Sequence, residues 1–93
     1  MTVGENISHQ PDGRRFELSV DGHICQLVYS TTPEGVSFDS VRVPDAVGGQ
    51  GLAGQLTRHA LDWARSEKLK VRPTCPYVAT WIQRHPDYAD LVP

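Results

Sequence analysis

Val43-Pro44-Asp45-Ala46-Val47-Gly48-Gly49-Gln50-Gly51-Leu52-Ala53-Gly54-Gln55-Leu56 carries, in one run, a strand end, a glycine-rich turn and the mouth of an amphipathic helix. Gly48, Gly49 and Gly51 leave backbone N–H groups uncovered by side chains. Gly51-Leu52-Ala53 then opens a helix whose first amides have no partner inside the helix. Bare amides at the positive end of a helix dipole make a site for a phosphate or diphosphate. No lysine follows in a G-K-[ST] arrangement, and glycines at 48, 49, 51 and 54 do not fit G-x-G-x-x-G, so neither common nucleotide fingerprint is met. Read by itself, the stretch is equally a glycine-rich hairpin or helix entry with no ligand.

Working outward, the helix over about residues 51–68 places Leu52, Ala53, Leu56, Ala60, Trp63 and Ala64 within an arc of roughly 120°, the width expected of a helix lying on a sheet. Arg58, Asp62, Arg65 and Glu67 face away from it. Upstream, Phe16, Leu18 and Val20 alternate with Glu17 and Ser19, a period of two that marks a strand with one buried face. Asp21-Gly22 is a tight hairpin signal. A return strand rich in Ile24, Leu27, Val28 and Tyr29 follows over about residues 23–31, then a turn at Pro33-Glu34-Gly35. The third strand runs from Val36 to Val43, and its alternation slips, because Val36 and Phe38 have one parity and Val41 and Val43 the other. A bulge near Asp39-Ser40 reconciles them.

Downstream, Leu69-Lys70-Val71-Arg72-Pro73 reads as a short fourth strand reached by the helical crossover. Thr74-Cys75-Pro76 reads as a second helix start, with Thr74 or Cys75 capping and Pro76 in the first turn. Val78, Trp81 and Ile82 supply that helix's buried side, His85-Pro86 ends it, and residues 87–92 make one more turn. The expected fold is α/β (α+β) in the order β-β-β-α-β-α: a mostly antiparallel sheet with helices packed on it. Residues 1–13, polar and ending in Pro11-Asp12-Gly13, read as a flexible lead-in. Residues 14–93 form the single domain.

A chain of 93 residues has room for one modest core. A net charge of −2 gives no general affinity for nucleic acid or an anionic membrane, and no apolar run approaches the ~20 residues a membrane span needs. The N-terminus has no basic stretch followed by an apolar one, so it does not read as a secretory signal. Two cysteines, Cys25 and Cys75, are too few for a disulfide scaffold, and a cytoplasmic location is expected. His9, His23, His59 and His85 lack metal-ligand spacing, so no metal is expected.

With the glycine loop, crossover helix and Cys75 in place, the chain resembles the GNAT acetyltransferases, most closely a very small single-domain branch. The features that carry the resemblance are Val43-Pro44, Gly51-Leu52-Ala53, Pro73-Thr74-Cys75-Pro76-Tyr77-Val78, and Arg84-His85-Pro86-Asp87-Tyr88-Ala89-Asp90-Leu91-Val92. The match covers roughly residues 14–92, and the ordered set is far more specific than G-x-A alone. The resemblance implies acetyl-CoA as co-substrate and an N-acetyltransferase acting on a primary amine of a small molecule or a protein lysine. It implies that the diphosphate sits on amides from Gly48, Gly49, Gln50, Gly51, Leu52, Ala53 and Gly54, and that Val41 and Val43 on the bulged strand pair with the pantetheine arm. The chain is then a monomer or weak homodimer. Two positions depart from the family pattern: Gly48 stands where [RQ]-x-x-G-x-[GA] has Arg or Gln, and Ser40 stands where several relatives have histidine, so no role of that histidine as a base transfers.

Cys75 sits at a strand end and a helix N-terminus, where the dipole favours a thiolate. It lies near the thioester under the resemblance, either attacking it to form an acetyl-cysteine or lining the pocket while the amine attacks directly. Packed under the second helix as a small apolar residue, it has no chemical role. Leaving-group protonation needs an acid. Larger family members place a tyrosine on this helix, near Trp81 here, and Tyr77 and Tyr88 are the available substitutes. With no acid at Trp81, the alternative is a module that binds acetyl-CoA or CoA with little or no turnover. A thiol-redox role has little support, because no C-x-x-C exists.

Overall fold

The computed structural model describes residues 7–93. Five strands, β1 (Ile7–Gln10), β2 (Arg15–Val20), β3 (His23–Thr32), β4 (Gly35–Arg42) and β5 (Lys70–Arg72), form one sheet in the order β1-β2-β3-β4-β5. The first four make an antiparallel meander, and β5 joins β4 in parallel. A parallel neighbour requires a crossover, which helix α1 (Leu52–Ser66) provides. Helix α2 (Pro76–Arg84) follows β5, and 3₁₀ turns cover Asp45–Val47 and Pro86–Leu91.

Alternation puts the apolar residues of the strands on one face. Phe16 stands opposite Leu27, Leu18 opposite Cys25, and Tyr29 opposite Phe38, all buried. Leu52, Leu56, Ala60, Leu61 and Ala64 of α1 are buried in the same core. Thr57, also buried there, stays satisfied by donating its hydroxyl to the Ala53 carbonyl at 2.8 Å. On the helix stripe, Ala53 and Trp63 are only half-buried, while Leu61 and Thr57, not read as inward from the sequence, are fully covered. The strand residues of opposite parity, including Glu17, Gln26 and Ser30, are not buried, and Ile24 among them is 50% exposed.

The bulge falls where the parity slip puts it. Val28 pairs with Ser40 and Tyr29 with Phe38, which leaves Asp39 as the extra residue of β4. Cys75 is the residue before α2 and Pro76 its first, with no side-chain cap from either Cys75 or Thr74.

The N-terminal reading needs correction. Ile7–Gln10 is not a flexible lead-in but the edge strand β1, paired in register with β2, so the order of elements is β-β-β-β-α-β-α; residues 1–6 of that lead-in lie outside the described residues. An imidazole does the anchoring there. The His9 ring stacks on Phe16 at 4.2 Å and 9°, meets Trp63 edge-on, and sets Nε2 2.7 Å from the Tyr29 hydroxyl. His9 is thus a packing residue of the α1 face rather than part of a polar tail.

Candidate functional site

The glycine run forms a shaped loop between the end of β4 and the start of α1. Gly49 (φ 78°) and Gly51 (φ 74°) both take the left-handed conformation that costs other residues about 1–2 kcal/mol. Among the described residues a Cβ on either would meet nothing within 4 Å, so there is open space beside both. The first backbone bond of α1 runs from Gln55 N–H to the Gly51 carbonyl at 3.1 Å. Among the described residues, the N–H groups of Gly49, Gln50, Gly51, Leu52, Ala53 and Gly54 meet no acceptor. Gly48 differs from the sequence reading: its N–H donates to the Asp45 carbonyl at 3.1 Å, which closes the preceding 3₁₀ turn, so the free row begins at Gly49. Six consecutive bare amides at a helix N-terminus are a concentrated positive potential.

Beside this loop the sheet opens. β5 pairs with β4 only from Gly35–Lys70 to Ser37–Arg72. The chain then turns through Pro73 and Thr74, and its last hold on β4 is the Cys75 N–H donating to the Phe38 carbonyl at 2.9 Å. From Ser40 to Arg42, just past the bulged Asp39, β4 is paired with β3 on one side, and among the described residues no strand lies on the other. Val41 on that stretch and Val43 just beyond it are half-buried against the core. Cys75, 7% exposed, is a free thiol at the corner where the opening begins.

The two tyrosines have separate surroundings. A Cβ added to Gly54, in the first turn of α1, would lie 3.4 Å from the Tyr77 hydroxyl and from the Trp81 indole nitrogen, so this glycine lets α2 close on α1 and brings Tyr77 to the amide row. Tyr77 is 43% exposed, and burial of the rest pushes its phenol above the usual value, against the opposing pull of Arg84. Tyr88 is buried about two helical turns further along α1. Its hydroxyl donates to the Asp62 carboxylate at 2.7 Å and accepts from Arg58 Nη1 at 3.3 Å. Burial, then the Asp62 hydrogen bond, raises the Tyr88 phenol. Arg58 and Asp62, read from the sequence as facing away, hold the C-terminal turn in place, and the Arg58 guanidinium also lies 5.2 Å over Trp81.

His85 caps the end of α2, its Nδ1 2.7 Å from the Trp81 carbonyl and its ring stacked on Trp81 at 3.7 Å. A cleft of about 380 Å³ runs from Gly51 and Gly54 along α1 past Arg58 to Asp62. No local pattern signals the polar chain at the β4–β5 corner, where the Ser37 hydroxyl bonds both Asp39 and Thr74 at 2.7 Å. Thr74 belongs to another element, so only the fold brings the three together. Among the described residues no group of three or more His, Cys, Asp or Glu side chains is placed to hold a metal.

A loop of free amides follows the open edge of β4, and a thiol stands at the corner where that edge begins. The family model described as GCN5-related N-acetyl-transferase matches residues 15–91, most of the chain. The chain belongs to that family. Relatives include the protein NATD1 of Homo sapiens, 37% identical over 86% of this chain and 74% of its own length, and NATD1 of Mus musculus, 31% identical over 86% and 76%. A GCN5-like protein of Staphylococcus aureus, solved by solution NMR, superposes with a TM-score of 0.75 over 100% of this chain and 91% of its own, at 22% identity. That likeness bears on the fold. The enzyme class that goes with GNAT membership is acyltransferase, and the family's co-substrate is acetyl-CoA.

The residues present fit that co-substrate. An open cradle of amides suits a diphosphate. The free edge of β4 offers backbone groups at strand spacing to the amides of a pantetheine arm. No helix among the described residues is long and apolar enough to cross a membrane.

Proposed function

We propose that the protein is an acetyl-CoA-dependent N-acetyltransferase that transfers acetyl from the CoA thioester to a primary amine of a small molecule or protein lysine. The observation that carries this reading is the row of acceptor-free amides from Gly49 to Gly54 beside the free edge of β4. Amides 49–54 take the diphosphate, Val41 and Val43 flank the arm, and the thioester reaches the corner at Cys75. The acceptor nitrogen attacks the acetyl carbon directly, and Cys75 lines the pocket. Tyr77 protonates the departing sulfur. It is favoured over Tyr88 because its hydroxyl lies by the first turn of α1, whereas the Tyr88 hydroxyl is committed to Asp62. A phenol raised by burial keeps its proton for that purpose at neutral pH.

The proposal includes a monomer or weak homodimer in the cytoplasm, and two buried cysteines outside any disulfide suit a reducing compartment. Titration of the amide spectrum with acetyl-CoA tests the binding. The expected result is coordinated shifts of amides 49–54 and Cys75, and an unchanged spectrum at millimolar ligand overturns the reading. One observation favours the alternative of a CoA-binding module with little turnover: the indole of Trp81, stacked on His85, occupies the place near which larger family members carry a tyrosine and is itself no acid. Binding without amine-dependent release of free CoA decides for the module.

A further inference from the structure

Acetyl transfer requires the acceptor nitrogen to lose a proton, and the geometry points to Asp39 as the group that takes it, an assignment that rests on the transferase reading above. Phe38 and Val41 of β4 stand opposite the core residues Tyr29 and Leu27. The three steps between them reverse the alternation once, and the bulge absorbs the reversal by leaving Asp39 and Ser40 both exposed. Asp39 therefore lies beside Phe38, whose carbonyl holds the Cys75 N–H, at the point where the free edge of β4 begins.

The carboxylate is not left to swing. Ser37 Oγ donates to Asp39 Oδ1 at 2.7 Å. The single hydroxyl proton of Ser37 is thereby used, so the 2.7 Å contact with Thr74 Oγ1 is a bond donated by Thr74. Both hydroxyls point their protons toward the carboxylate, and each bond polarises the next. Among the described residues Oδ2 has no partner. An oriented acceptor-only oxygen where the free edge of β4 begins is suited to receive a proton.

The step balances with the groups named. The neutral amine forms its N–C bond to the acetyl carbon as the carbonyl electron pair moves to oxygen. The nitrogen, now cationic, passes its surplus proton to Asp39 Oδ2. When the pair returns from oxygen, the C–S bond breaks, sulfur leaves with the bonding electrons, and Tyr77 protonates it. Asp39 gives its proton to solvent, and Tyr77 regains one. Ser37 and Thr74 are positioning residues.

The test uses the full chain with acetyl-CoA and spermidine or a lysine-bearing peptide as acceptor. Asp39→Asn is expected to lower kcat about 100-fold while the Kd for acetyl-CoA, measured by calorimetry, stays unchanged. Formate added to Asp39→Ala is expected to restore part of the rate in proportion to its concentration, which a purely structural role would not allow. Wild-type turnover with an Asp39→Asn kcat within about twofold of it, or no rescue by formate, overturns the assignment and leaves the transferase reading standing. Acetyl-CoA binding with no release by wild type on either acceptor overturns the transferase reading and the assignment with it.

Discussion

The two ends of α1 are built on opposite principles. Its C-terminal half is tied on every side: Tyr88 bonds Asp62, Arg65 reaches both the Asp90 carboxylate at 2.9 Å and the Asp87 carbonyl at 2.7 Å, and Lys70 donates to the Asp90 carbonyl at 2.8 Å. Among the described residues its N-terminal turn has no side-chain cap, and the amides from Gly49 to Gly54 meet no acceptor. A helix optimised for stability alone would carry Ser, Asp or Asn at the cap, worth about 1 kcal/mol. Here the cap residue is Gly51 in a left-handed conformation. The end that is satisfied holds the fold, and the end left unsatisfied is available to a ligand.

That contrast is most severely tested by filling the bare end. Gly51→Asp places a carboxylate at the amide row, where it both caps the helix and repels a diphosphate. Loss of about 3 kcal/mol of charge-assisted bonding corresponds to roughly a hundredfold rise in the Kd for acetyl-CoA, read by calorimetry. Thermal stability is expected to change little, because the new cap offsets the backbone cost at φ 74°. An unchanged Kd would mean that the ligand does not rest on these amides.

Tyr88→Phe examines the tied end. Removing the hydroxyl frees Asp62 and Arg58 from their bonds and is expected to cost about 1 kcal/mol, which lowers Tm by roughly 4–8 °C in a domain of this size. Acetyl-CoA affinity is expected to stay at the wild-type value. A variant with intact Tm and weakened binding would reverse the roles given to the two ends, and would return Tyr88 to the list of residues that meet substrate.

How far the sequence carried the reading depends on the range of the interactions involved. Elements set by local patterns were legible: the Asp21-Gly22 hairpin, the bulge implied by the parity slip, Pro76 opening α2 and His85 closing it. The family pattern was legible too, because its motifs are short contiguous runs in which Gly and Pro set the backbone. What depended on partners far along the chain was not. β1 has one aliphatic residue, Ile7, and its aromatic anchor is an imidazole whose partners Phe16, Tyr29 and Trp63 come from three other elements. Separating Tyr77 from Tyr88 needed the crossing of α2 over Gly54, and the Thr74–Ser37–Asp39 chain needed the parallel pairing of β5 with β4. Gly48 looked like its neighbours until the 3₁₀ turn used its amide.

The smallest expected effect concerns pH and sharpens the account of the tied end through His9. Burial, and then the neighbouring His59, depress the His9 imidazole below its ordinary value of 6.5, with Glu67 opposing. Tyr29, whose hydroxyl meets His9 Nε2, is itself shifted upward by burial. A base whose folded value is depressed favours folding in its neutral form. Its contribution is therefore complete above 6.5 and is lost as pH falls toward the lower folded value. The Tm of wild type is expected to fall more steeply on going from neutral to mildly acidic pH than that of His9→Gln, which cannot titrate. Asp90 is held below its ordinary value by its bond to Arg65, and the difference between the two curves, not the wild-type curve alone, reports His9. Parallel curves would mean that β1 is held by its ladder to β2, with the stacked ring contributing nothing that depends on its charge.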